Sequence, residues 1–377
     1  MNLELSALCP FGVEKLVKDE LKGLGYHVMS SSPGRVDFQG PWEAVYHANL
    51  GSRTAERVLI RLVKAQARDF DQLFEAVRSA AWEDWLTPAV TIHIEKVRLY
   101  QSQLTSVPAV QSMVQKAVFE TLCRRFRLTR LPQNGPLVAL RVTLAKDQLE
   151  VFLDSTGPAL HNRGYRQATG EAPLKENLAA ALVLFSGWRR KYPLVDPFCG
   201  SGTILTEALL YAYDLPPGLK RSFTFEHLRP FSALDWDLLR DEARQKADLS
   251  HRVRLFGSDK DPVVLRSARK NVQALGLEEH LRLDVQPMEK VSARFWGLEE
   301  PGFVVTNPPY GERLETVAAA RELSRAMAGW DRAFPDWSVG VLTPLESLPQ
   351  DMDREPFVVR ELSNGPLRVK FFQFTKK

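Results

Sequence analysis

The sequence predicts an α/β protein whose rear part is a doubly wound, Rossmann-like parallel sheet, preceded by two smaller α+β modules. Three observations carry this. From Tyr165 onward, apolar runs of strand length alternate with helical patterns, as parallel strands joined by crossover helices require. Two of those runs, ending at Val195 and Thr306, each lead into a short polar motif at the carboxyl end of the strand, where open α/β sheets bind ligands. In front, strands of alternating polarity (Leu137 to Leu144, Gln148 to Leu153) are interspersed with amphipathic helices.

Leu3 to Leu8 reads as a strand. A helix carrying Val13, Leu16, Val17 and Leu21 follows, then a hairpin around Pro33-Gly34 and a helix from Pro41 to Leu50. This module is expected over residues 1–62. A second, over 63–160, contains a helix marked by Val110, Val114, Ala117, Val118 and Leu122 and closes on the hairpin Val138 to Asp154, which turns across Ala145-Lys146-Asp147. Residues 165–377 form the third domain, interrupted at about 214–253 by an insertion rich in Pro, Phe and charge. Its Phe223, Phe225, Phe231 and Trp236 either stack on nucleic-acid bases or pack the insertion down, which is the commoner use of such aromatics. The chain closes on two strands, Pro356 to Arg360 and Leu367 to Phe374, joined through Asn364-Gly365.

The first motif, Asp196-Pro197-Phe198-Cys199-Gly200-Ser201-Gly202, lies between the strand ending in Leu194-Val195 and a helix opened by Ile204, Leu205, Ala208 and Leu209. Its glycines let the backbone approach a ligand, and the helix start offers unpaired N–H groups to a carboxylate or phosphate. Leu205 stands where a dinucleotide fingerprint needs its third glycine, and an acid at the strand end repels phosphates while suiting the positive end of a zwitterion. The next strand, Val253 to Ser258, delivers Asp259, placed to accept ribose hydroxyls. Asp261-Pro262 reads as the cap of the following helix, and Gly276 as its left-handed end.

The second motif, Asn307-Pro308-Pro309-Tyr310, ends the buried run Phe303 to Thr306. Its prolines stiffen the turn and leave carbonyl acceptors. An exocyclic nucleobase amine is a poor nucleophile because its lone pair is delocalised. The Asn307 side-chain oxygen and the Pro308 carbonyl, accepting both amine hydrogens, would make that nitrogen more tetrahedral, and Tyr310 would stack on the extruded base. Positioning and electrostatics then suffice without a strong base.

With these motifs stand Phe70 to Phe74, Trp82-Glu83-Asp84, Leu104 to Pro108, His161-Asn162-Arg163-Gly164-Tyr165-Arg166, Ala172 to Ala179, Gly311-Glu312-Arg313-Leu314 and Asn364 to Leu367. In this order they resemble the THUMP-domain RNA guanine-N2 methyltransferases, specifically the 23S rRNA (m2G) type, over nearly the whole chain. The resemblance implies a ferredoxin-like domain (1–62), a THUMP RNA-binding domain (63–160) and a class I methyltransferase domain (165–377) using S-adenosylmethionine. It implies cofactor contacts from Asp196, Phe198, Cys199, Gly200, Gly202, Asp259 and Asn177, and a target-base site at Asn307, Pro308 and Tyr310. Two positions depart from the family pattern. Pro287 stands where an acid is expected near the adenine amine, with Asp284 or Gln286 as substitutes, and Asn177 stands in place of Thr. The expected substrate is a guanine 2-amino group in RNA, foremost 23S rRNA or an assembly intermediate. Alternatives are tRNA, a DNA adenine amine, or a non-catalytic ribosome-assembly role.

Composition is that of an ordinary folded protein, 44% hydrophobic and 25% charged over 377 residues. The net charge of +4 lies in the front: residues 1–170 hold 21 Lys and Arg against 17 Asp and Glu, leaving 29 against 29 behind. Arg124, Arg125, Arg127 and Arg130 crowd the end of a helix, where guanidiniums suit phosphates or the helix dipole. His161, Arg163 and Arg166 either steer RNA or lock the linker. Cys9, Cys123 and Cys199 fit neither a zinc site nor a disulfide framework, and Cys199 reads as packing in its loop. No metal cluster, signal peptide or membrane span is expected, Leu178 to Trp188 being too short to cross a bilayer. The cytoplasm is the expected compartment.

Overall fold

The computed structural model describes residues 2–166, 174–250, 252–310 and 317–374. It divides into two compact units, one of Met1–Cys9, Val17–Leu160 and Arg221–Arg240, the other of Pro10–Leu16, His161–Lys220 and Asp241–Lys377.

In the first unit, β1 (Leu3–Leu8), β2 (His27–Ser32), β3 (Arg35–Gly40), β4 (Arg57–Gln66), β5 (Thr91–Tyr100), β6 (Leu137–Ala145) and β7 (Gln148–Asp154) form one sheet in the order β2-β3-β1-β4-β7-β6-β5. β5 and β6 are parallel and the other neighbours antiparallel. The helices are α1 (Glu14–Gly23), α2 (Glu43–Gly51), α3 (Phe70–Arg78) and α4 (Val107–Phe126). β4 pairs with β1 on one side and β7 on the other, so the two α+β modules share a sheet and residue 62 lies inside their common strand. Lys146 and Asp147, at φ +52° and +61°, make the tight β6–β7 turn, both in the left-handed region that a two-residue hairpin loop favours. Asp69 caps α3 by accepting from the Gln72 N–H at 2.8 Å. In α4 the predicted stripe Val110, Val114, Ala117, Val118 and Leu122 is buried.

In the second unit, β8 (Leu194–Asp196), β9 (Leu255–Asp259), β10 (Leu281–Val285), β11 (Phe303–Thr306), β12 (Ser338–Thr343), β13 (Val358–Asn364) and β14 (Leu367–Phe374) run in the order β10-β9-β8-β11-β12-β14-β13. The first five in that order are parallel, and β14 and β13 close the sheet as an antiparallel hairpin. Helices α5 (Glu176–Phe185), α6 (Thr203–Ala212), α8 (Pro262–Gln273) and α9 (Val317–Ala326) belong to this unit, with two four-residue helices at Trp330–Ala333 and Leu348–Asp351, while α7 (Trp236–Gln245) begins in the first unit and ends in the second. Successive strand residues enter opposite cores. Leu194, Val305 and Leu342 pack with Leu178, Leu205 and Leu265 of the helices on one face, while Val195, Val304 and Val341 pack with Met327, Trp330 and Trp337 on the other. Both faces are thus covered, each buried aliphatic side chain contributing roughly 1.5–3 kcal/mol, which is why these strands read as continuous apolar runs.

The insertion's aromatics pack it down. Phe223, Phe225 and Phe231 are at most 3% exposed, Phe225 meets Trp236 edge-on at 4.8 Å, and Phe231 and Trp236 lie against Trp42 and Tyr46 at 5.8 and 5.5 Å. These rings are therefore spent on packing and not held open for bases.

Candidate active site

The sheet order reverses at β8, whose neighbours β9 and β11 lead to opposite edges, and this switch point opens the crevice that α/β sheets use for ligands. The main-chain pairing of β8 with β11 ends at Val195 and Val304. Beyond it a side-chain bond takes over: the Thr306 hydroxyl donates to Asp196 Oδ1 at 2.6 Å, and the Phe198 N–H donates to the same oxygen at 3.1 Å. Asp196 is 1% exposed. Burial raises its carboxyl to about 7 against the opposing pull of the Thr306 and Phe198 bonds, with the Asp259 charge adding to the rise.

The turn after Asp196 is stitched to β9. Cys199 N–H donates to the Ser258 carbonyl at 3.0 Å and Gly200 N–H to Asp259 Oδ2 at 3.1 Å, while Asp259 Oδ1 accepts from Asp261 N–H at 3.0 Å. Gly200 and Gly202 sit at φ +53° and +78°, and a Cβ on Gly202 would lie 3.1 Å from the Ala268 methyl of α8. α6 starts after Gly202 with no side-chain cap hydrogen bond, and its first residues, Thr203 and Ile204, border the crevice. Cys199 is 5% exposed and burial pushes its thiol well above its usual range, as a packing residue's would be. Asp261 caps α8 through Val263 N–H at 2.7 Å, and Gly276 takes its expected left-handed conformation.

At the tip of β11, Asn307 Oδ1 is a buried acceptor with no hydrogen-bond partner among the described residues. Pro308 is buried. The Tyr310 hydroxyl accepts from Asn364 Nδ2 at 3.2 Å, and its ring packs against the core under α5 and α6.

A cavity of about 750 Å³ joins these pieces. Asp196, Phe198, Cys199, Gly200, Asp259 and Asn307 all line it, and of the two prolines after Asn307 it is Pro309, not Pro308, that does so. Gly202 and Tyr310 stand outside the lining, as does Asn177, fully buried within α5. Sequence reasoning missed Lys260, Met288, Glu289 and the α9 residues Ala319, Glu322 and Leu323. Met288 and Glu289 follow β10, so the same strand-end rule that found Asp259 points to them. No sequence signal placed α9 here. Among the described residues the lining carries five acids (Asp196, Asp259, Asp261, Glu289, Glu322) against the one cation Lys260, which favours a cationic ligand and opposes a pyrophosphate.

Three expectations need correction. Arg163, named as an RNA contact with locking the linker as its alternative, is 2% exposed, and its guanidinium faces Glu207 at 3.4 Å, where the Tyr165 hydroxyl also bonds. Arg166 is committed to Glu176 Oε1 at 2.7 Å, the Leu174 carbonyl and the Thr203 hydroxyl, so it too braces the linker. Asp284 accepts from Trp296 Nε1 and Arg282 Nε, both at 3.0 Å, and lies outside the cavity lining; Gln286 is likewise outside it, leaving Pro287, Met288 and Glu289 on that wall. Arg124, Arg125, Arg127 and Arg130 are exposed around the end of α4, where Arg127 takes the left-handed φ of +54° that stops the helix and Arg125 pairs with Glu83 at 2.7 Å. Ala172-Pro173 and Gly311 to Leu314 lie outside the described residues. Among the described residues, no helix is long and apolar enough to cross a membrane, and no cluster of His, Cys, Asp or Glu could hold a metal ion.

Comparison with known proteins agrees with this architecture. Residues 4–59 match the model of an RlmL ferredoxin-like domain, 67–154 that of a THUMP domain, and 163–371 that of an RMKL-like methyltransferase domain. A Bacillus subtilis protein provisionally named RNA methyltransferase YpsC is 33% identical over 99% of this chain and 96% of its own. The ribosomal RNA large subunit methyltransferase K/L of Syntrophotalea carbinolica is 36% identical over 99% of this chain but 53% of its own, so the chain spans about half the length of the K/L relatives. Among solved structures, SMU.472, a provisionally assigned methyltransferase complexed with SAH, is 34% identical with a TM-score of 0.90, covering 100% of this chain and 98% of that one. A Listeria monocytogenes protein, named by prediction as an N6-adenine-specific DNA methylase, is also 34% identical, with a TM-score of 0.91 and 100% and 97% coverage.

Proposed function

The chain belongs to the RMKL-like methyltransferase family, and from that premise we propose that it transfers a methyl group from S-adenosylmethionine to the 2-amino group of a guanine in RNA, with 23S rRNA as substrate. The observation that carries the reading is Asn307 Oδ1, a buried acceptor without a partner among the described residues, on the wall of the same cavity as Asp196 and Asp259.

The residues fit the donor. SAH, bound by a relative of 34% identity, is its demethylated form. Asp196 and the acidic lining favour its cationic groups, Asp259 offers ribose hydroxyls a carboxylate, and the glycine turn at 200–202 leaves room for close approach. Bound there, S-adenosylmethionine supplies an electrophilic methyl carbon. Asn307 Oδ1 and the Pro308 carbonyl hold the two amine hydrogens, and Tyr310, fixed through Asn364, offers its ring to the extruded base. Orientation is the catalytic contribution, and no side chain need act as a strong base.

In the same reading, residues 1–62 and 63–160 hold RNA, 165–377 perform the chemistry, and the exposed Arg124, Arg125 and Arg127 meet phosphates. A protein that modifies ribosomal RNA belongs in the cytoplasm.

Incubating hypomethylated rRNA with labelled donor and digesting it to nucleosides tests the proposal. Label in N2-methylguanosine is expected; label in another nucleoside, or in none with any RNA, overturns it. The likeness to the Listeria protein favours one rival, methylation of an adenine amine in DNA. Label in duplex DNA instead of RNA would establish that rival.

A further inference from the structure

We propose that Thr306 is a positioning residue, its hydroxyl tying the tip of β11, and with it Asn307, to the Asp196 carboxylate at the tip of β8. The inference rests on the reading of Asp196 as a donor contact and Asn307 as the amine acceptor.

The argument is geometric. Main-chain pairing between β8 and β11 stops at Val195 and Val304, one residue short of Asp196 and two short of Thr306. A crevice has to open there to admit ligands, yet the two groups that must face each other across the methyl transfer sit on its opposite lips. The 2.6 Å bond from Thr306 Oγ1 to Asp196 Oδ1 spans that gap. Both residues are essentially buried, at 0% and 1% exposure, so water cannot substitute for the hydroxyl. Asp196 lines the cavity, and Thr306 is bonded in sequence to Asn307, which lines it too. The same oxygen takes the Phe198 N–H, so one carboxylate fixes the cofactor turn and the amine-gripping turn together.

The bond also affects the proton on Asp196. Thr306 stabilises the charged carboxylate, while burial and the Asp259 charge from β9 oppose it; the neighbouring Cys199 thiol is held neutral. Removing the hydroxyl therefore raises the pH at which Asp196 ionises. Donor binding, which needs the charged form, weakens at a higher pH than in the parent protein.

The test compares the full chain with Thr306→Val, of similar shape but lacking the donor, and Thr306→Ser, which keeps it. Calorimetry of S-adenosylmethionine binding from pH 6 to 9 should show affinity falling on acidification, with the Val variant's fall displaced upward by about one unit and the Ser variant unchanged. At pH 9, where the Val variant regains donor affinity, its kcat for methyl transfer to rRNA should be about 10- to 100-fold low with KM for donor unchanged. An unmoved acid limb together with normal kcat in Thr306→Val overturns the proposal. So does a variant that loses affinity, turnover and melting temperature in parallel at every pH, since that is a folding effect. If the parent protein methylates no RNA, the functional reading fails instead, and the calorimetric arm, which needs no RNA, still decides for or against the coupling.

Discussion

Arg163 and Glu207 face each other inside the second unit with 1% and 0% of their side chains exposed, Nε to Oε1 at 3.4 Å, and the Tyr165 hydroxyl reaches the same carboxylate oxygen at 3.1 Å. Taking one partner from such a pair strands the other charge away from water, which costs about 3–5 kcal/mol. Arg163→Met should therefore lower stability by that order in denaturant titration, and Arg163→Met with Glu207→Gln should recover most of it. If Arg163→Met instead weakened RNA binding at unchanged stability, the guanidinium would have to reach RNA after all.

Asp196 sets a pH dependence. Its carboxyl is raised from 3.8 to about 7, so between those values the folded protein holds a proton that the unfolded chain has released. Stability consequently falls as pH rises through this window, and the deficit is complete above it. Asp196→Asn removes the cost, on the order of 4 kcal/mol at about 1.4 kcal/mol per unit. Thermal melts should place the variant above the parent at pH 8 and level with it at pH 4, while donor binding is lost. A variant no more stable at pH 8 would show that Asp196 ionises without penalty.

Asn307→Ala should separate binding from chemistry. Donor affinity measured by calorimetry stays within about twofold, because the turn at 198–200 and Asp259 are untouched, while single-turnover methyl transfer falls by at least about 10²-fold. Normal turnover in the variant would remove Asn307 from the mechanism.

The arginines at the end of α4 should contribute unequally to RNA affinity. On the proposed function, Arg124→Ala and Arg127→Ala should each remove a phosphate contact and flatten the salt dependence of binding by about one ion per side chain. Arg125 already pairs with Glu83, so its removal should change the slope less. Filter binding across a salt series measures this, and equal slopes in all three variants would exclude the α4 end as a phosphate contact.

Much of the fold, and the strand-end residues of the candidate site, were legible in the sequence, for physical reasons. Strands buried on both faces must be apolar throughout, so Leu194-Val195 and Phe303 to Thr306 announced the parallel sheet, and strand ends announced Asp196, Asp259 and Asn307. Local rules also fixed the Asp261 cap and the Lys146-Asp147 turn. Other features depend on partners distant in sequence. A buried arginine and an exposed one look alike until Glu207, 44 residues on, is seen to receive Arg163. An aromatic stretch reads as a base platform or as packing until Trp42 and Tyr46 are found against Phe231 and Trp236.

The sequence by itself determined the order of elements, the acids and amide at the strand ends, and the family, because these follow from side-chain periodicity and from backbone chemistry within a few residues. Only the tertiary structure decided that α9 walls the cavity, that Asp284 is taken by Trp296, and that Thr306 reaches Asp196 across 110 residues of chain. Those pairings are set by which strand tips come together when both faces of the sheet are buried, and no local pattern encodes that.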